Sequence, residues 1–206
     1  MMRYMIVPIL LLASAAAMCQ DNPPAGEIHA SLVRGKKRSL IAYAGKDHSF
    51  TMEAVGKTVK PSDLPDFVNI DGLILQSTLL PVPDDINLRN LNPSREKDLL
   101  TKYMNFELDY YKKKLRQNYY KPGSELVTLK GRIYLLWYFD TPPNSKIKRQ
   151  VYLSTLFFDQ VLDLNIPIFT LNDFAKAKDT LEKLGNSLKV YNKRLDLALL
   201  SKQLNK

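Results

Sequence analysis

The chain has 206 residues, of which 45% are hydrophobic and 25% are charged, and its formal net charge is +9. These proportions are those of an ordinary globular protein, and the length suits one domain with a sizeable core. Cys19 is the only cysteine, so the composition excludes an intramolecular disulfide and the core must provide the stability.

Residues 1–19 are predicted to be a secretory signal. Arg3 supplies a positive charge, Ile6–Ala13 an apolar segment, and Ala15–Ala17 the small residues that signal peptidase requires. The apolar segment is shorter than the roughly 20 residues that span a membrane. Cleavage after Cys19 leaves Gln20 as the new N-terminus, and cleavage after the first or last residue of the alanine run is the alternative.

The signal predicts an exported protein, either periplasmic or secreted. Cys19 also fits a second interpretation, a lipoprotein anchored at this cysteine. Met18 stands where lipoprotein processing prefers a small residue, so loss of Cys19 with the signal is favoured. In an exported protein, excess positive charge points to an envelope protein or an anionic ligand as partner, and no nucleic acid is expected. The oligomeric state stays open.

The remaining chain divides into three parts. Residues 20–26 are polar and Pro-rich and predict a flexible lead-in, residues 27–192 a single domain, and residues 193–206 a helical tail. The first part of the domain shows short apolar runs separated by Gly-containing turns, which is typical of strands. Four such runs are expected to be strands: 28–33, 40–43, 50–55 and 73–80.

A helix follows. Asn92 can cap it, Pro93 suits its first position, and Glu96 lies in its first turn. Apolar residues then recur at helical spacing. The helix is expected to end near Asn118, before the turn residues Pro122-Gly123. The residues of its apolar stripe are Leu99, Leu100, Tyr103, Met104, Phe106, Tyr110, Tyr111 and Leu115.

Four segments after this helix are predicted to be strands: 126–129, 133–139, 151–158 and 162–168. The run 133–139 is apolar on both faces, as in a central strand covered on both sides. In 162–168 apolar residues alternate with Asp163, Asn165 and Pro167, which predicts one buried face. Pro167 indicates an edge position or the end of a strand.

A long helix is expected to close the domain. Thr170 to Asp173 resembles a capping box, with Asp in place of the usual Glu. Apolar residues then recur in steps of three and four as far as Tyr191. Gly185 interrupts this series, which favours packing on a sheet over a coiled coil. The order of elements predicts an α+β fold, a largely antiparallel sheet with helices packed on its faces.

The layout from Glu96 to Tyr191, about half of the chain, resembles the PsbP/Mog-like sandwich. In that family a helix precedes a meander, and a final helix packs across the sheet. The resemblance implies an accessory or binding role without catalysis, and it assigns no functional residue. The segments that carry it are YMNFELDYY (103–111), IYLLWYF (133–139), VYLSTLFF (151–158) and LNIPIF (164–169).

The sequence carries no recognisable catalytic or metal-binding motif. His29 and His48 are the only histidines, and a zinc site needs three or four ligands at suitable spacing. The patterns Gly-x-Ser-x-Gly and Gly-x-Gly-x-x-Gly are absent, and so is the phosphate-binding loop. No catalytic residue, metal or cofactor is therefore assigned.

Asp47, His48 and Ser49 place an acid, an imidazole and a hydroxyl side by side. A hydrolase needs the nucleophile and its base at hydrogen-bond distance, with a third group orienting the base. Adjacent residues of a strand point to opposite faces, so a polar hairpin turn is the favoured interpretation. A hydrolase using these three residues remains the alternative.

Arg34, Lys36, Lys37 and Arg38 place four cations within five positions around Gly35. On a tight turn, these charges would converge enough to hold an anionic group. The competing interpretation is a solvated surface. The leading hypothesis is an exported, non-enzymatic binding or accessory protein of the bacterial envelope. A further alternative is electrostatic binding of an anionic glycan or lipid surface through this cluster.

Overall fold

A computed structural model describes residues 30–63, 67–82, 92–113 and 118–206. The predicted signal with Cys19 and Gln20, the lead-in at 20–26, and His29 lie outside the described residues. The strands are β1 (Ser31–Arg34), β2 (Ser39–Ala44), β3 (Ser49–Ala54), β4 (Val59–Pro61), β5 (Phe67–Ile70), β6 (Leu73–Pro81), β7 (Tyr120–Leu129), β8 (Arg132–Asp140), β9 (Arg149–Phe157), β10 (Gln160–Ile168) and β11 (Lys189–Tyr191). The helices are α1 (Pro93–Lys113), α2 (Phe174–Ser187), α3 (Leu197–Leu204) and a 3₁₀ helix (Leu171–Asp173).

The strands form two antiparallel sheets. The small sheet has the order β1-β2-β3-β11, and the large sheet has the order β4-β5-β6-β10-β9-β8-β7. Every pair of neighbouring strands runs antiparallel. The predicted α+β class with a largely antiparallel sheet is confirmed, and the strands are divided between two sheets.

Both faces of the large sheet are covered. One face packs against the small sheet and α2, and the other packs against α1. The first core contains Ile41, Phe50, Met52, Leu136, Leu153, Leu164, Ala177 and Leu181, all of them buried. The second core contains Leu99, Leu100, Tyr103, Leu108, Leu135, Trp137, Phe139 and Tyr152. Most residues of the predicted apolar stripes that the structure describes therefore pack on a sheet, whereas Phe106 of α1 is exposed.

Strand β10 lies between β6 and β9, and both of its faces are buried. The prediction of one buried face was wrong, because α1 covers the face that carries Asp163 and Asn165. Pro167 stands one residue before the end of β10, as predicted. The pairing of β10 with β6 ends at Asn165, before Pro167. The absent backbone N–H of Pro167 therefore costs no hydrogen bond to β6.

Helix α1 begins where the sequence predicts. Asn92 Oδ1 accepts a hydrogen bond of 2.9 Å from the amide of Arg95, which is the bond of an N-terminal cap. The sequence suggested a break in the chain at Pro122-Gly123, but both residues belong to strand β7. A register shift between Tyr120 and Gly123 and the edge position of β7 accommodate a proline within the strand.

Helix α2 is shorter than predicted. It ends at Ser187, and residues 189–191 form β11, which pairs with β3. Thr170 makes no capping hydrogen bond, and a 3₁₀ helix precedes α2 instead. Gly185 lies against the sheet, where an added Cβ would be 2.7 Å from Leu129 Cδ1. The glycine that interrupts the apolar series thus allows α2 to approach the large sheet closely.

Candidate functional site

The predicted basic cluster lies on the tight turn between β1 and β2. Arg34, Lys36, Lys37 and Arg38 are all exposed, and the amide of Gly35 donates to Arg38 O at 3.0 Å. The turn therefore carries all four cations of the predicted cluster. Any anion that meets them must approach from solvent.

The C-terminal tail packs against the same turn. The amide of Lys36 donates to Leu204 O at 3.2 Å, and Asn205 Nδ2 donates to Arg34 O at 3.1 Å. A Cβ on Gly35 would lie 2.6 Å from Leu204 Cβ, so glycine permits this contact. The tail that packs here also carries two exposed lysines. The residues of this basic surface are Arg34, Lys36, Lys37, Arg38, Lys202 and Lys206.

Other cations in the sequence hold the fold together. Arg149 Nε donates to Asp140 Oδ1 at 2.6 Å, and its guanidinium lies 4.7 Å from the centre of the Phe174 ring. Lys148 Nζ donates to the carbonyl oxygens of Pro143 and Ser145. Arg149 and Lys148 are therefore held by contacts around the β8–β9 connection. The cations of the basic surface, by contrast, are exposed to a ligand.

The structure does not assemble a hydrolase from Asp47, His48 and Ser49. Ser49 is fully buried, and its Oγ donates to Lys193 O at 2.7 Å and accepts from the amide of Leu195 at 3.0 Å. The ring of His48 instead stacks on Phe158 with 3.5 Å between ring centres. Asp47 is exposed. The hydroxyl therefore anchors the tail and is not activated by the imidazole.

A second site, which the sequence did not predict, lies between α1 and the large sheet. It is a cavity of about 30 Å³ with a buried floor and a partly exposed rim. We call it the carboxyl cavity. The floor residues are Tyr103, Tyr152, Asp163 and Asn165, the rim residues are Gln76, Thr78 and Glu107, and Leu80 completes the lining.

Strand register places these side chains in two adjacent rows across the sheet. Asn165 of β10 pairs with Gln76 of β6 and Tyr152 of β9. Asp163 pairs with Thr78 and Ser154. Since residues two apart on a strand share a face, all six side chains point toward α1. Helix α1 then supplies Tyr103 and Glu107, which lie four positions apart and so share one face of the helix.

A chain of hydrogen bonds holds Asp163 in place. Trp137 Nε1 donates to Ser154 Oγ at 2.8 Å, and Ser154 Oγ donates to Asp163 Oδ1. The Trp137 ring stacks on Tyr152 with 3.9 Å between ring centres and 8° between ring planes. Beside them, Asn165 Nδ2 donates to Gln150 Oε1 at 3.1 Å. The polar floor is thus ordered by partners on three neighbouring strands.

The two carboxyl groups of the cavity have raised pKa values. Burial is the main cause, raising the pKa of Asp163 to about 8 and that of Glu107 to about 7. The negative charge of Glu107 adds to the effect on Asp163, while the hydrogen bond from Ser154 and the nearby Tyr103 hydroxyl oppose it. At neutral pH the cavity therefore holds at least one proton on its carboxyl groups.

Tyr103 Oη is buried and makes no hydrogen bond of normal geometry within the described residues, although it lies close enough to Asp163 to affect the pKa of that carboxyl. A buried polar atom without a partner is costly and often marks a site where a ligand or water binds. The alternation of residues 162–168 does not reveal this site, because it is equally typical of a strand facing solvent. The site could be predicted only if the pairing of β10 with two inner strands were known.

No protein-family model matches the chain, and no curated protein matches it. The structure is similar to the solution structure of cyanobacterial PsbP (CyanoP) from Synechocystis sp. PCC 6803, with 11% sequence identity and a TM-score of 0.47. The match covers 84% of this chain and 99% of that one. At this level of similarity, no functional property is transferred.

Two further observations concern the described residues alone. None of the helices in these ranges is long and apolar enough to cross a membrane. No group of three or more His, Cys, Asp or Glu side chains in the same ranges could hold a metal ion. The candidate sites are therefore the basic surface and the carboxyl cavity, which lie on different sheets.

Proposed function

We propose that this chain is an exported, non-enzymatic binding protein of the bacterial envelope and that its basic surface binds an anionic ligand. The observation that carries the proposal is the convergence of the β1–β2 turn and the C-terminal tail. None of the six cations of the basic surface takes part in an ion pair within the part of the chain that the structure describes. Their charges are therefore free to meet an anion.

The physical basis is electrostatic. Cations that contact a polyanion release its counterions, so binding weakens as salt is added. Each Lys or Arg near an anionic membrane contributes about 1 kcal/mol at low salt. An anionic lipid surface and an anionic glycan present the same chemistry, and the experiment must distinguish them. The hydrolase alternative has no supporting observation, because Ser49 Oγ donates to Lys193 O.

The test is binding of the protein to phosphatidylglycerol vesicles, phosphatidylcholine vesicles and heparin at several salt concentrations. Replacing Arg34, Lys36, Lys37 and Arg38 together by glutamine is expected to weaken binding to the anionic probes on the order of a thousandfold at low salt. The slope of log affinity against log salt should also become shallower. Binding to phosphatidylcholine should be negligible for both proteins.

A matched control removes four exposed lysines elsewhere, Lys97, Lys102, Lys112 and Lys146, which changes the net charge by the same amount. This variant should keep most of the affinity. Equal losses in the two variants would show that net charge alone attracts the anion, and the basic surface would lose its role. Preference for vesicles over heparin would identify lipid as the ligand, and the opposite preference would identify glycan.

Export is tested separately. Expressed in a bacterium, the chain is expected outside the cytoplasm, with a mature N-terminus at Gln20 by mass spectrometry of the intact protein. A lipid mass on Cys19 would instead establish the anchored form. Recovery of the full chain from the cytoplasm, with residues 1–19 attached, would contradict export.

A further inference from the structure

We propose that the carboxyl cavity binds a single ammonium group and that Glu107 and Asp163 accept hydrogen bonds from it. This inference is independent of the proposed function. It concerns the opposite side of the molecule, since the cavity lies between α1 and the large sheet, while the basic surface lies at the end of the small sheet.

The lining chemistry favours a cationic donor. The cavity is lined by two carboxyls, three hydroxyls, two amides and one leucine, without a Lys, Arg or His side chain. Asn165 Nδ2 already donates to Gln150 Oε1 and Val151 O, which leaves Asn165 Oδ1 as an acceptor. Asp163 Oδ1 accepts from Ser154, and the Tyr103 hydroxyl lies beside the same carboxyl group. An ammonium group, with three or four N–H donors and no acceptor, complements such a set.

One observation besides the acidic pair points to a ligand. Tyr103 lines the cavity, and its Oη is buried and makes no hydrogen bond of normal geometry within the described residues. Tyr152, also in the lining, is held in place by its stack on Trp137. The phenol oxygen of Tyr103 therefore adds an acceptor to what the carboxyls offer.

The dimensions limit the ligand. A cavity of about 30 Å³ has room for one small group but not for a large organic molecule. Because Gln76, Thr78 and Glu107 at the rim are partly exposed, the rest of a longer molecule can remain in solvent. A free alkylammonium ion and the side chain of a lysine on a partner protein both satisfy these limits, and they share the same chemistry.

Binding must be linked to protons. The titratable groups that face the site are Tyr103, Glu107 and Tyr111 from α1, Tyr152 from β9 and Asp163 from β10. Burial raises the pKa of both carboxyls, so an ammonium group must displace a proton at neutral pH. Affinity is therefore expected to rise by up to tenfold per unit of pH between pH 6 and pH 8 for each proton displaced.

The experiment is a titration of the full chain with methylammonium chloride at pH 6, 7 and 8. Trp137, the only tryptophan of the chain, contacts Tyr152 and provides a fluorescence signal at the site. A saturable change is expected that sodium chloride at equal ionic strength does not produce. Tetramethylammonium, which has no N–H donor, should produce little change. A lysine with blocked backbone groups is titrated in parallel to represent a partner's side chain.

The variants Glu107→Gln and Asp163→Asn keep the shape of each side chain and are expected to weaken methylammonium binding by about tenfold or more. Asp98→Asn removes an exposed carboxyl from the same helix and should have no effect. Circular dichroism verifies that each variant is folded, and Glu107→Gln changes a residue at the partly exposed rim. Tighter binding of blocked lysine than of methylammonium would indicate a protein partner, and the reverse a free amine.

Three results would each overturn the inference. These are a titration with no saturable change at any pH, an identical response to sodium chloride or tetramethylammonium, and an affinity unchanged in both carboxyl variants. An affinity that falls between pH 6 and pH 8 would also contradict it, since proton displacement requires the opposite direction.

Discussion

Replacing Asp163 by asparagine is expected to stabilise the protein at pH 9 by about 5 kcal/mol and to leave its stability at pH 4 nearly unchanged. Burial raises the pKa of this carboxyl from 3.8 to about 8 in the folded protein. Asparagine has the size of the protonated acid and can still accept the hydrogen bond from Ser154. The variant is therefore expected to behave like a protein in which Asp163 stays protonated at every pH.

The direction follows from proton linkage. Between about pH 4 and pH 8 the folded protein keeps a proton on Asp163 that the unfolded chain has lost. The contribution of Asp163 to stability is fully present below pH 4 and is lost as the pH rises to about 8, by up to about 1.4 kcal/mol per pH unit. Glu107, whose pKa is raised to about 7, acts in the same direction.

Urea denaturation at pH 4, 7 and 9 measures this effect through the free energy of unfolding. Asp47→Asn is the matched control, because Asp47 is exposed in a turn, and this variant should follow the wild type at all three pH values. If Asp163→Asn is no more stable than the wild type at pH 9, burial does not raise the pKa of this carboxyl in the folded protein.

Replacing Leu164 by alanine is expected to reduce the free energy of unfolding by about 2–5 kcal/mol. Leu164 is 1% exposed and lies in the middle of β10, where its side chain belongs to the core shared with the small sheet and α2. The alanine variant leaves a cavity that neighbouring strands cannot close without losing their register. The expected fall in Tm is about 4–20 °C for a domain of this size.

The same substitution at Leu199 provides the control. Leu199 lies on α3 and is 52% exposed, so Leu199→Ala should change the free energy of unfolding by less than about 0.5 kcal/mol. Denaturant unfolding of the two variants side by side measures both values. Equal effects would mean that β10 is not the central strand of the large sheet.

Local signals in the sequence predicted several elements correctly. Asn92 and Pro93 marked the start of α1, because a capping side chain and a residue without an amide hydrogen suit the first turn wherever the helix lies. The apolar run at 133–139 predicted a strand covered on both faces, and the run at 151–158 predicted a second apolar strand; they are β8 and β9. These signals depend on neighbours in the chain, so sequence alone contains them.

Predictions failed where pairing with a distant segment decided the outcome. Residues 189–191 continue the helical spacing of α2, yet they form β11 because β3 offers unpaired backbone groups there. Pro122 and Gly123 signal a turn, yet an edge position and a register shift keep them within β7. In both cases the hydrogen bonds to a partner strand outweigh the local preference.

The sequence by itself determined the fold class and most strand positions, because these follow from periodicity and turn chemistry over short distances. Only the tertiary structure decided that both faces of β10 are covered and where the tail packs. The carboxyl cavity depends on both faces being covered, since Asp163 and Glu107 are 56 positions apart in the chain and meet only when α1 lies across the large sheet. Burial by a distant helix, which no local pattern records, turns an ordinary strand aspartate into a proton-binding group.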